Sequence, residues 1–160
     1  MKDIIIWDLD GTLACGKHRL HLLPTEDLHL TESWEEFNLA SWADNPIQDN
    51  IRLMQELHKA GYITVILTGR SDIARDMTED WLDKHGIQYD HMKMREATDN
   101  RKDTVIKEEY LRKLGLDRIL CCFDDLPQVA SHMRSLGLTC HLVTEYTEQR
   151  NDLKSHGVDK

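Results

Sequence analysis

The sequence predicts an α/β fold: a doubly wound, Rossmann-like parallel sheet with a small helical insert after its first strand. Three observations carry this. Four short apolar runs are continuous rather than alternating, as parallel strands covered on both faces require. Helical patterns separate them, several closed by glycine. One stretch, 16–45, interrupts the rhythm with no strand-like run.

Asp3–Trp7 reads as the first strand, followed by Asp8-Leu9-Asp10-Gly11-Thr12. Within 16–45, Ser33-Trp34-Glu35-Glu36 has the form of a capping box opening a short helix. Trp34, Phe37 and Trp42 make an aromatic stripe, read as the insert's own core in preference to a base-stacking surface. The insert is expected to lie over the C-terminal end of the first strand. Ile47, Ile51, Met54 and Leu57 recur at helical spacing up to Gly61. Tyr62–Leu67 is the next strand. Ile73, Met77 and Trp81 mark a helix capped by Ser71 or Asp72 and ended by Gly86. Val105, Ile106, Tyr110, Leu111 and Leu114 form another stripe, closed by Gly115. Arg118–Phe123 is a strand. Pro127, tolerated in a first helical turn, opens a helix through Val129, Met133 and Leu136 to Gly137. Thr139–Val143 is the last strand, and 147–160 is a polar tail. These pieces form a βαβ series.

The 160 residues suit one domain. No apolar run approaches the roughly 20 residues that span a bilayer, and Met1-Lys2-Asp3 leads into no signal-peptide core. A cytoplasmic protein without a membrane partner is therefore expected. Cys15, Cys121, Cys122 and Cys140 contain no CxxC pair, so disulfides and structural zinc are not expected. His18 and His21 have HxxH spacing, but nothing completes a zinc set, and they read as exposed. The net charge of −9 argues against non-specific duplex binding. Oligomeric state stays open, a homo-oligomer included.

Ligands of open parallel sheets bind beyond the carboxyl ends of the strands. There the sequence places Asp8, Asp10 and Thr12, then Thr68-Gly69-Arg70, then Asp124-Asp125. Such a cluster of acids calls for a cation. Hard oxygen donors favour Mg²⁺ over zinc. Residues i and i+2 of extended chain point the same way, so Asp8 and Asp10 can face one substrate. One carboxylate can attack phosphorus, while the other protonates the leaving oxygen and later deprotonates water. Thr12 and Thr68 can donate to phosphoryl oxygens. Mg²⁺ held by Asp8 and by Asp124 or Asp125 would offset the repulsion between two anions.

In this order these motifs resemble those of the haloacid-dehalogenase superfamily of phosphatases. Asp8 through Ala14 with Arg19, then Thr68-Gly69-Arg70, Arg95-Glu96, the run from Arg101 to Glu109, and Asp124-Asp125 narrow the likeness. They resemble the 3′-phosphatase domain of phage-type polynucleotide kinase/phosphatase, across roughly residues 3 to 145. The resemblance implies a sheet of the haloacid-dehalogenase type, with 1–146 as one phosphatase domain and 16–45 as its cap-like insert. It implies Asp8 as nucleophile, Asp10 as general acid/base, and Lys107 as the phosphate-neutralising lysine. Mg²⁺ would rest on Asp8, Asp124, Asp125 and the Asp10 backbone carbonyl. Thr12, Arg19, Thr68, Gly69, Arg70, Arg95 and Asp103 would complete the substrate and phosphate site. The expected reaction is Mg²⁺-dependent removal of a 3′-phosphate from a nucleic-acid end through an aspartyl-phosphate. No GxxxxGK[ST] occurs, so these residues are not expected to phosphorylate 5′ ends. The resemblance alone suggests a phage or bacterial source, and host cytoplasm if phage-encoded.

Alternatives stand beside this. A nucleotidase or small-phosphoester phosphatase would use the same residues, and a catalytically silent binding module could keep the fold without turnover. Taken alone, Arg19 and Arg95 read as surface arginines, and Asp103 with Lys107 as an exposed i, i+4 ion pair. Arg101 and Lys102 read as solvated.

Overall fold

A computed structural model of the chain describes residues 1–143. The polar tail at 147–160 lies outside them. Five parallel strands form the main sheet among the described residues, in the order β5-β4-β1-β6-β7. They are β1 (Ile4–Trp7), β4 (Ile63–Ser71), β5 (His91–Arg95), β6 (Ile119–Asp124) and β7 (Cys140–Leu142). The chain builds outward from β1 through β4 to β5, then returns to the other side of β1 for β6 and β7. The order thus reverses beside β1, where open sheets leave a crevice.

Each face of the sheet has its own core. Helices α2 (Gln48–Lys59) and α3 (Arg75–Lys84) bury Ile51, Met54, Trp81 and Leu82 against Ile5, Trp7 and Ile66. Helices α4 (Asp103–Leu114) and α5 (Pro127–Ser135) bury Leu111, Val129 and Met133 against Ile4, Ile6 and Val65. Trp7 stacks on Phe123 with centroids 4.0 Å apart. No helix among the described residues is long and apolar enough to cross a membrane.

Several expectations are corrected. Strand β5 has no apolar run to mark it, because its sequence, His91-Met92-Lys93-Met94-Arg95, carries charge; as an edge strand it has one flank open to water. Strand β4 runs past Leu67, so Thr68, Gly69 and Arg70 lie within the strand rather than after it. Its pairing with β5 shifts register between Leu67 and Ser71. Ser33 caps no helix: it sits inside a 3₁₀ turn, Thr31–Trp34, and α1 (Glu35–Leu39) starts after Trp34 without a side-chain cap. The aromatic stripe is split, with Trp34 and Phe37 buried and Trp42 66% exposed. Ile73 and Val105 also face out, and the helices turn Ala74, Thr78, Asp103 and Lys107 inward instead.

The stretch between β1 and α2 departs and returns through two short antiparallel strands, β2 (Ala14–Cys15) and β3 (Asn45–Pro46). Between them, turns of 3₁₀ helix and α1 fold over the carboxyl ends of β1 and β4. All four cysteines are free.

Candidate active site

Three strand ends bring the expected residues together. Asp8 follows β1, its backbone N–H donating to the Phe123 carbonyl at 3.0 Å. Asp124 ends β6 and is fully buried. Lys107 reaches in from α4, donating to Asp8 at 3.1 Å and to Asp124 at 2.9 Å, with Asp103 at 3.7 Å. The Asp103–Lys107 pair is therefore interior, not a surface pair. Helical spacing sets both side chains on the inward face of α4. Gly11, at φ 79°, reverses the chain after Asp10 in a backbone region that other residues avoid.

Asp10 turns away from Lys107. Its carboxylate accepts from Arg19 at 2.6 Å and from Arg70 at 2.5 Å. Arg19 comes from the insert and Arg70 from β4, so this carboxylate joins cap to sheet. Arg19 is buried because its charge is met: Asp44 accepts from it with both oxygens at 2.8 Å, and the Phe37 carbonyl accepts at 3.1 Å. The Arg19 guanidinium also lies 4.2 Å from the Phe37 ring centroid. Arg70 donates to Thr78 at 2.9 Å.

Arg95 too is buried, behind Gly69 and off the cleft. It donates to the backbone carbonyls of Gly69, Asp99 and Arg101, with Asp103 at 3.7 Å. Gly69 is required by this packing, since a Cβ there would run into the Asp103 carboxylate. Thr68 lines the cleft, its hydroxyl accepting from the Arg70 N–H at 3.1 Å. Thr12 does not line it: the hydroxyl is fully enclosed and without a partner. Arg101 is exposed and paired with Asp99 and Glu109. His18 and His21 are both exposed, and His18 also contacts Asp44 at 2.7 Å.

The charges shape the titration. Burial raises the Asp8 carboxyl well above its ordinary value, and Asp124 adds to this against the opposing pull of Lys107. Burial also pushes Asp10 up, but Arg70 and Arg19 outweigh it and hold that carboxyl far below the usual range. Burial opposes the charge on Lys107, and Asp103, Asp124 and Asp8 overcome it, keeping the ammonium protonated. Asp8, Asp124 and Asp125 each offer a carboxylate oxygen, all within 4.8 Å of one another. One lysine does not balance this group, and hard oxygen donors at that spacing fit Mg²⁺. Asp10 is outside the group because its side chain is committed to the arginines.

The cleft is lined below by Asp8, Asp10, Thr68, Gly69, Arg70, Asp103, Lys107 and Asp125, and above by Arg19, Leu23, Trp34, Phe37 and Asn38 from the insert. It holds about 90 Å³ of free space. Sites that engulf a whole small molecule run to roughly 300–1,000 Å³. No sequence pattern marks Asp44 or Asn38 as site residues. Asp44 precedes Asn45-Pro46 and reads as turn chemistry, and nothing local announces a partner 25 residues away.

Sheet order and cleft position define the class. A haloacid dehalogenase-like hydrolase from Streptococcus pneumoniae shares the fold at TM-score 0.64, with 17% identity over 95% of this chain and 90% of that one. A haloacid dehalogenase-like hydrolase from Bacteroides fragilis does so at TM-score 0.66 and 16% identity, over 95% and 92%. The protein thus has the α/β fold of the haloacid-dehalogenase type. Residues 2–147 match the model of the polynucleotide kinase PNKP phosphatase domain, and the chain belongs to that family of phosphatases. A chain in a Pnkp1/Rnl/Hen1 RNA repair complex is 28% identical, at TM-score 0.69 over 89% of this chain. A second structure of that complex is again 28% identical, at TM-score 0.71 over 90%. This chain spans 43% and 46% of the lengths of those two. Comparison with curated proteins finds no match.

Proposed function

We propose that this protein is a Mg²⁺-dependent polynucleotide 3′-phosphatase acting through an aspartyl-phosphate on Asp8. The observation that carries the reading is the division of labour between two carboxylates two residues apart. Asp8 faces Lys107 at 3.1 Å, and Asp10 faces Arg19 and Arg70. The likeness to a component of an RNA repair complex supports a nucleic-acid end as substrate.

Asp8 attacks phosphorus; an Asp8 oxygen–phosphorus bond forms and the bond to the leaving alcohol breaks. Asp10, having taken up a proton from solvent as substrate binds, passes it to the leaving oxygen. In the second half, water attacks the phosphoryl group, Asp10 takes its proton, and inorganic phosphate leaves with Asp8 restored. The resting arginine clamp keeps Asp10 ionised. An arriving phosphate dianion competes for Arg70, loosens that hold and raises the proton affinity of Asp10. Lys107 stabilises charge on the phosphoryl oxygens. Gly69 and Thr68 form the floor, and Arg95 supports it from behind through the Gly69 carbonyl and Asp103. Asp8, Asp124 and Asp125, with the Asp10 backbone carbonyl, would hold Mg²⁺, which lowers the repulsion between nucleophile and phosphate. Residues 16–45 act as the cap of this one domain. The small cleft admits a phosphoryl group and leaves the bulk of a polynucleotide at its mouth.

The test is phosphate release with Mg²⁺ from a 3′-phosphorylated oligonucleotide and from 3′- and 5′-mononucleotides. Preference for the oligonucleotide is expected. Preference for mononucleotides would make this a nucleotidase, and no release from any phosphomonoester would make it a binding module.

A further inference from the structure

The insert carries a polar group that the reaction above does not use. Asn38 is 1% exposed and is one of the insert residues that line the cleft, together with Trp34 and Phe37. Its amide nitrogen is buried without a partner. A buried donor left unpaired is costly, and proteins rarely tolerate one without use for it. The residue is also held still. Its carbonyl accepts from Ser41 Oγ at 2.7 Å, and the carbonyl of Phe37 just before it accepts from Arg19 at 3.1 Å. The backbone is therefore fixed at a point where the side-chain amide stays unsatisfied.

We infer that Asn38 is a specificity residue, and that its amide donates to a sugar oxygen on the alcohol side of the phosphoester. The inference rests on the phosphatase reading of the same cleft. Asp8, Lys107 and Arg70 account for the phosphoryl group below, so a group on the upper wall meets what the phosphate is attached to. A sugar offers oxygen acceptors next to the ester bond and apolar C–H faces beside them. Asn38, with Trp34 and Phe37, provides the matching donor and apolar surface. A leaving group without a sugar would leave the amide as it now stands.

The experiment compares wild type, Asn38→Leu and Asn38→Asp on a 3′-phosphorylated oligonucleotide and on p-nitrophenyl phosphate, which has no sugar. The readout is the ratio of the two kcat/KM values. Both variants should lower that ratio about tenfold or more. Asn38→Leu, which keeps the branched four-atom side chain and removes the unpaired donor, should melt no lower than wild type. A ratio that stays constant in both variants would overturn the assignment, as would a lower melting temperature with an unchanged ratio. If wild type itself hydrolyses p-nitrophenyl phosphate but shows no preference for the oligonucleotide, the polynucleotide reading falls and this inference falls with it. That outcome is seen before any variant is made, so the two failures are told apart.

Discussion

Asp44 grips Arg19 with both carboxylate oxygens at 2.8 Å, and both side chains are buried. The same Asp44 lies 3.6 Å from Arg70, so one acid from the end of the insert orients both arginines that hold Asp10. Removing one partner of a buried pair strands the other charge, which costs about 3–5 kcal/mol. Asp44→Ala should lose about that much stability in urea unfolding and lower kcat with it. A loss below about 1 kcal/mol would show that Arg19 is held by other contacts.

Asp8→Asn should reduce kcat by three orders of magnitude or more, the scale expected for loss of a nucleophile. Stability should not fall. Asp8 is raised by burial and by Asp124, so its neutral analogue relieves repulsion even as Lys107 loses one contact. Near-normal kcat in Asp8→Asn would refute the nucleophile assignment.

The same upward shift sets a pH dependence. A carboxyl raised in the folded state binds its proton more tightly there than in the unfolded chain. Its contribution to stability is complete below the unfolded value of about 3.9, and is lost as pH rises through the folded value. A divalent cation on Asp8, Asp124 and Asp125 would offset that loss. Mg²⁺ at a hundredfold excess over Kd adds about 2.7 kcal/mol, or about 5–10 °C in Tm for a chain of this size. The gain should be larger at pH 8 than at pH 5 and should shrink in Asp8→Asn. Equal gains at both pH values would remove the carboxylate triad as the metal site. Ca²⁺ should not support turnover, since its looser coordination suits this chemistry poorly.

Gly69→Ala puts a methyl group into the Asp103 carboxylate, which already stands 3.7 Å from Lys107. Displacing Asp103 should lower kcat at least tenfold, on the scale of an active-site misplacement. Unchanged kinetics would mean that the floor of the cleft can move aside freely.

Trp34→Ala should cost about 3–5 kcal/mol, because the ring is 4% exposed and its indole N–H donates to the Leu28 carbonyl at 3.0 Å. Trp42→Ser should change stability by under about 0.5 kcal/mol, because that ring is 66% exposed. Thermal melting of both variants tests the split of the aromatic stripe.

Local chemistry was legible in the sequence. Continuous apolar runs announced β1, β4 and β6, since strands covered on both faces have no polar side to show; β7 is an edge strand with His141 and Leu142 exposed, yet its run was apolar enough to read. DLDGT and Asp124-Asp125 announced the carboxylates, because strand ends of an open sheet converge whatever covers them. Strand β5 was not legible: an edge strand needs apolar residues only where it packs. Burial of charge was not legible either. Arg19 and Arg95 carry the side chain of a surface residue, and only folding supplies Asp44 and the carbonyls of Phe37, Gly69, Asp99 and Arg101 that make burial tolerable. The sequence by itself determined the fold class and which residue types stand at the strand ends. The tertiary structure decided that Asp10 belongs to the arginines and Asp8 to Lys107, and that Asn38 overlooks the cleft. Those pairings depend on distances between residues 9 to 99 positions apart, which periodicity and propensity do not encode.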